Sequence, residues 1–233
     1  MSLAAYSDGL RGLQATTAWR DTAATIARRE EDRRVDPDAL PPDLESEVLA
    51  AVLRARHAKQ AETIAKQGWA APGGTEYLID DGELRAFYGE VIGKLAHSHW
   101  WSASELEARL PSQVGAGRSL PGGWAIDPVK IACLLRTADA AHLDARRAPR
   151  FMMAITRPGG HSARHWSFQN KLARPTRRDA SLVYTSGASF GLEDAEAWWL
   201  CFDALCGLRK ELDDVDILLE ETQRPRFQVR QVA

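Results

Sequence analysis

Leu10, Leu13, Trp19, Ala23, Ile26 and Ala27 recur at helical spacing ahead of the charge run Arg28-Arg-Glu-Glu-Asp-Arg-Arg34, predicting a helix over about 9–34 with a solvated end. Asp36-Pro-Asp-Ala-Leu-Pro-Pro42 breaks the chain, after which Asp43 can cap a helix that runs to about Gln67 and stops at Gly68. Its apolar stripe of Leu49, Val52, Leu53, His57, Ala61 and Ile64 points His57 inward, flanked by Arg54 and Arg56. A Gly/Pro-rich connection over 68–82 leads to a third helical pattern, Leu84, Tyr88, Val91, Ile92, Leu95 and His99, with His97 off the stripe. Ser102-Ala-Ser-Glu105 is a capping-box signature for a short helix to Leu110, and Pro111 to Trp124 reads as a long loop. Asp127-Pro128 then starts a helix over 129–144 that is apolar on most sides, as the middle helix of a bundle is. Ile131, Leu135, Asp139 and His142 share one of its stripes, which aims Asp139 where aliphatic side chains point.

The remainder changes character. Trp166, Phe168 and Leu172 alternate within His165-Trp-Ser-Phe-Gln-Asn-Lys-Leu172, and Ala180 to Thr185 is rich in strand formers, so a hairpin across Pro175 is predicted. Gly191 to about Glu221 is a long amphipathic helix carrying Trp198 and Trp199, and Arg226 to Val232 alternates as a last strand would. The fold class is therefore mainly α: a helical bundle over 10–150 and a small C-terminal α+β extension over 151–233, made of a hairpin and the long Trp-rich helix.

Composition narrows the field. The 233 residues are 45% apolar and 27% charged, with a formal charge of −2, so global electrostatics give no reason to invoke nucleic acid. Cys133, Cys201 and Cys206 form no CxxC pair and fall in helical patterns, which suits a reducing cytoplasm better than a disulfide framework or thiolate zinc site. The longest apolar runs, 131–135 and 151–155, fall far short of the ~20 residues that cross a bilayer, and the start has neither a basic segment nor an apolar one that would direct secretion.

His57, His99 and Asp139, one from each of three predicted helices, form the candidate site. Neutral imidazole and carboxylate suit Zn, Mn, Fe or Co, and ligands converging from several helices are one way to build a metal site in a bundle. The same three residues also fit a buried polar cluster whose members hydrogen-bond one another. Both readings stand on the sequence.

Arg54-Ala-Arg-His57-Ala, Ile92-Gly-Lys-Leu-Ala-His-Ser-His99-Trp-Trp and Leu134-Leu-Arg-Thr-Ala-Asp139-Ala-Ala-His-Leu-Asp144-Ala-Arg-Arg resemble the later helices of an HD-superfamily metal phosphohydrolase. With Ser162-Ala-Arg-His165-Trp-Ser-Phe-Gln169 and the Trp198-Trp199 helix, the string is most similar to the HD-CE variety, over nearly all of residues 10 to 233. The resemblance implies an HD-like bundle and a divalent metal (Mn, Fe, Co, Zn or Mg) on His57, His99 and Asp139. It further implies Arg136, Arg146 and Arg147 on phosphate oxygens, with His142, Asp144 and His165 beside the ligands. It implies a phosphate-containing small molecule as ligand, and a GHKL-type (gyrase, chaperone and histidine-kinase) ATPase domain as partner, as in bacterial proteins. No adjacent His-Asp dyad occurs in the sequence and no histidine precedes His57. The chain is accordingly expected to start just after the family's first ligands and to stop where an ATPase domain would follow. The resulting module would be degenerate, with an apolar groove that a homodimer or partner covers.

Arg146, Arg147, Arg150, Arg157, Arg164, Lys171, Arg174, Arg177 and Arg178 follow one another with no acidic residue between them. Phosphate or a nucleic acid stacked on Trp166 and Phe168 is one reading of this run. Neutralisation by the acidic Glu193 to Glu221 helix is the other, and it is favoured over nucleic acid. A non-enzymatic interaction module, docking through the exposed side of the Trp198-Trp199 helix, is the competing class to a phosphohydrolase-related one.

Overall fold

A computed structural model describes residues 8–29, 35–149 and 160–233. Contacts divide the chain into two compact units, one of residues up to Trp101 with Arg109–Pro128, the other of Ser102–Ala108 with Val129–Ala233. The architecture is mainly α, with small sheets and an α+β C-terminal part.

In the first unit, α1 (Leu10–Gln14) and α2 (Thr17–Arg29) replace the single helix expected over 9–34; residues 30–34 lie outside the described part. Thr16 explains the break, because its hydroxyl donates to Leu13 O (2.7 Å) and accepts from Trp19 N (3.2 Å), closing one helix and capping the next. α3 (Pro42–Ile64) begins with proline at its first turn and Asp43 and Glu45 near its positive end. Leu13, Trp19, Ala23 and Ile26 pack on Leu44, Val48 and Val52 of α3 as one core cluster. The 68–82 connection holds a hairpin of β1 (Trp69–Ala71) and β2 (Gly74–Glu76). α4 (Gly82–His97), capped by the Asp81 carboxylate on Leu84 N (2.9 Å), then packs on α3. The Gly-rich 111–124 stretch is closed by β3 (Val114–Gly115) pairing with β4 (Ala125–Ile126), which follows it. Tyr88 holds its middle, donating to Gly115 O (3.1 Å) and accepting from Gly117 N (2.7 Å).

The second unit opens with the predicted capping box, in which Ser102 N and Oγ both donate to Glu105 Oε2 (2.8 and 2.9 Å), ahead of α5 (Leu106–Arg109). α6 (Pro128–Ala141) stops three residues short of Asp144. α7 (Gly160–Lys171) is a helix where a strand over 165–172 was expected. Phe168 and Leu172 are four apart, a spacing that a two-residue and a 3.6-residue period both satisfy, and both are buried against Leu143, Ala197 and Cys201. The hairpin lies further on, between β5 (Thr176–Arg178) and β6 (Ser181–Val183), where Asp179 takes the left-handed conformation (φ 51°) that the two-residue turn requires. α8 (Ala195–Glu221) is the predicted long helix, and β7 (Gln231–Val232) joins β6 in parallel to complete a three-stranded sheet. Among the described residues no helix is long and apolar enough to cross a membrane.

Candidate functional site

The site begins with two glycines. A Cβ on Gly93 would lie 2.6 Å from Glu62 Cα, and one on Gly89 would lie 3.0 Å from Ala65 O, so α4 approaches α3 backbone to backbone. That closeness brings short polar side chains of the two elements within reach. His57 on α3 and His99, on the 3₁₀ turn Ser98–Trp100 that follows α4, face each other with Nε2 atoms 3.0 Å apart. His57 Nδ1 donates to Arg54 O (2.5 Å) and His99 Nδ1 donates to Ala96 O (2.6 Å). A carbonyl only accepts, so both rings carry a hydrogen on Nδ1, and a ring that is neutral presents a lone pair at Nε2. Two lone pairs opposed at this distance repel unless a proton or a cation lies between them. The rings are tilted by 37°, and Trp100 stands edge-on to His57 at 5.6 Å.

His57 is exposed and His99 half-buried, so the inward position expected of His57 is corrected. The buried stripe of α3 runs through Leu44, Val48, Val52 and Ala58, and His57 lies beside it rather than on it. A pair that the stripe argument passed over lies on the same two helices: His97 Nδ1 is 2.7 Å from Glu62 Oε1, with Trp101 edge-on at 5.1 Å and the Arg109 guanidinium 4.9 Å from that indole. The neighbouring carboxylate in sequence register, Glu62 against His97, was the available signal.

Asp139 belongs to the second unit, and its expected burial is also corrected. The buried face of α6 is Val129, Ala132, Cys133 and Arg136, while Leu134, Leu135 and Asp139 are exposed. Burial pushes the Cys133 thiol up to about 11, which leaves it inert as a nucleophile. Asp139 Oδ1 lies 3.3 Å from Arg147 Nη1, which also donates to Asp139 O (2.9 Å) and His142 O (3.3 Å). Asp144, expected beside the ligands, is instead the carboxylate the fold buries, 2% exposed. Arg146 Nε and Nη2 donate to its two oxygens (2.8 and 2.6 Å) and Arg146 N donates to Oδ1 (2.9 Å). Those bonds hold its carboxyl below the usual range against the opposing effect of burial. Tyr184 donates to Ala141 O (2.5 Å), and burial first, then the Asp144 charge, raises its hydroxyl pKa.

Arg136, the third arginine expected to meet phosphate, is buried and gives a bidentate pair to Glu211 on α8 through Nε and Nη2 (2.7 Å each). Arg136, Arg146 and Arg147 therefore each already hold a carboxylate of the chain. Within the basic run, Arg164 pairs with Glu196 of α8 (2.5 Å) and Lys171 with Asp194, the residue that precedes that acidic helix (2.7 Å). Arg150 and Arg157 lie outside the described residues. His142 is exposed, and His165 on α7 packs its ring 5.4 Å from Phe168.

The donor chemistry of the histidine pair fits a divalent cation: two neutral imidazoles with their Nδ1 hydrogens fixed by backbone carbonyls are the form that ligates, and 3.0 Å is a span that two ligands each ~2.0–2.1 Å from one ion can make. Among the described residues, no group of three or more His, Cys, Asp or Glu side chains is placed to hold a metal ion. The HD-CE family model matches residues 1–214. No curated protein and no solved structure matches the chain. The His57 and His99 segments and the Asp139 to Arg147 segment all fall inside the match, and the chain belongs to the HD-CE family.

Proposed function

We propose that this chain is a phosphohydrolase-related HD-CE module that binds rather than turns over its ligand, and that it senses a phosphate-containing molecule alongside an ATPase domain of the GHKL type. The opposed Nε2 atoms of His57 and His99 carry this reading. The pair is accessible on one side and would hold a divalent cation through two nitrogens. Such a cation supplies positive charge to a phosphate oxygen. The chain's own part is to fix both ring tautomers and both ring planes beforehand, so that binding costs little reorganisation. Arg136, Arg146 and Arg147 serve the fold in this account, since each would have to give up a carboxylate to meet phosphate. Among the described residues no third His, Cys, Asp or Glu joins the two histidines to hold an ion, and two nitrogens make an open and weak site, which suits reversible sensing better than hydrolysis.

The test pairs two measurements on the whole chain. Calorimetric titration with MnCl₂ should give saturable binding that His99→Ala and His57→Ala each abolish. Turnover of bis-(p-nitrophenyl) phosphate and of nucleotides, with Mn²⁺ or Co²⁺ supplied, should stay at background. Turnover that disappears in His99→Ala would overturn the sensing reading, and unchanged Mn²⁺ uptake in both variants would remove the anchor.

A second reading, an interaction module, rests on a different observation. Trp198, Trp199 and Phe202 stand exposed on α8 with ring centroids 4.8, 5.8 and 5.9 Å apart. Exposed aromatic clusters of this kind mark docking surfaces for a partner or a second copy. Trp199→Ser together with Phe202→Ser should then shift the mass measured by light scattering, while the Mn²⁺ titration stays unchanged.

A further inference from the structure

The second unit contains a cavity of about 410 Å³, inside the ~300–1,000 Å³ range of ligand pockets. Its walls are apolar side chains of α6 and α8, among them Leu134, Ala138, Leu208 and Leu212, closed by Leu182 of β6 and by Phe227 in the segment that crosses back before β7. Three polar side chains, Thr137, Arg177 and Gln228, interrupt that lining. Thr137 Oγ1 is shut off from solvent and has no hydrogen-bond partner, a state that costs free energy in a folded chain. Arg177 is the charged residue of the lining, and among the described residues its guanidinium meets the neutral acceptors Asp179 O (3.0 Å) and Gln228 Oε1.

The cavity is held open by its closing segment. Arg226 pins one end to α8 through Asp216 and Glu220, and Arg230 N donates to Ala180 O (2.8 Å) where β7 joins β6. Lys130 donates to Pro225 O and sets its ammonium 4.2 Å from the Phe227 ring centroid, so that ring is fixed from behind. The segment is clamped at both ends, and Leu208 and Leu212, both buried, form the floor beneath it.

We infer that this cavity is a binding site for a small amphipathic carboxylate, its apolar body between α6 and α8 and its head on Arg177. Apolar walls select a hydrocarbon or aromatic body, and a guanidinium held by neutral acceptors selects one negative charge. The site is independent of the histidine pair, which belongs to the other unit. A ligand here would favour the clamped state of the 225–230 segment over any released one.

Decanoate, with decanol as its uncharged counterpart, is the probe, and methyl NMR of the full chain is the readout. Decanoate should shift the methyls of Leu134, Leu182, Leu208 and Leu212 saturably and bind roughly tenfold more tightly than decanol, as one charge-assisted hydrogen bond allows. Arg177→Gln, an exposed position, should erase that preference and leave decanol binding in place. Ala138→Phe should fill the void and prevent both from binding. Equal affinity for the two probes, or shifts confined to methyls outside the cavity, would overturn the assignment, and the Arg177→Gln comparison decides it even if Ala138→Phe fails to fold.

Discussion

Asp139 and Asp144 are five residues apart, and the sequence reading ranked them in the wrong order for a traceable reason. An arginine on a helix is ordinarily placed outside, which sets the phase of α6 by Ile131, Leu135 and Asp139. In the structure Arg136 is on the buried face, because its bidentate pair with Glu211 satisfies the guanidinium there. The stripe therefore turns to Val129, Ala132, Cys133 and Arg136, and Leu134 and Asp139 go outward, Leu134 into the wall of the cavity. A buried partner from α8, distant in sequence, decided what local periodicity could not show. Asp144→Ala removes a buried carboxylate together with the three hydrogen bonds that the exposed Arg146 gives it, and should cost about 1–3 kcal/mol in urea denaturation. Asp139→Ala, on the exposed side with Arg147, should stay within about 0.5 kcal/mol. Equal losses in the two variants would contradict this placement.

The elements that place the histidine pair were legible in the sequence; their closest contact was not. The helices over α3 and α4, the break ahead of α3 and the Ser102 box follow from composition and spacing, while the Asp81 cap and the phase of the α3 stripe do not. Nothing in the local pattern singles out Gly93 from other glycines, since its requirement comes from Glu62 on a different helix. Likewise the strand expected over 165–172 failed because Phe168 and Leu172 satisfy two periods at once, and burial against α8 selected the helix. Gly93→Val drives a branched side chain into the α3 backbone and should cost about 1–3 kcal/mol or more by overpacking. Because it separates the elements, it should also abolish Mn²⁺ binding. Gly73→Ala, where an added Cβ meets nothing within 4 Å, is the matched control and should leave both melting temperature and binding unchanged. A Gly93→Val chain as stable as the control would show that the two helices have room to spare.

For the whole molecule, the charge pairs give stability a defined dependence on pH. Hydrogen bonds from Arg146, Lys171 and Arg226 hold the carboxyls of Asp144, Asp194 and Asp216 below their ordinary value of 3.8. A carboxyl lowered on folding contributes stability that is complete above its unfolded pKa of about 3.9 and is lost as pH falls through the lower folded value. The melting temperature should thus be flat from neutral pH to about pH 5 and fall below about pH 4, with a shallower fall in Asp144→Asn. The central claim concerns the opposed imidazoles, and it is tested most directly by following the ring ¹⁵N and ¹H resonances of the six histidines during a titration with paramagnetic Co²⁺. His57 and His99 should show protonated Nδ1 before Co²⁺ is added, and should then shift or broaden first and together, with His142 and His165 unaffected at the same concentration. If the resonances of His57 and His99 stay unmoved while Co²⁺ passes into excess, the two nitrogens share a proton and not a metal, and the account of the site is wrong.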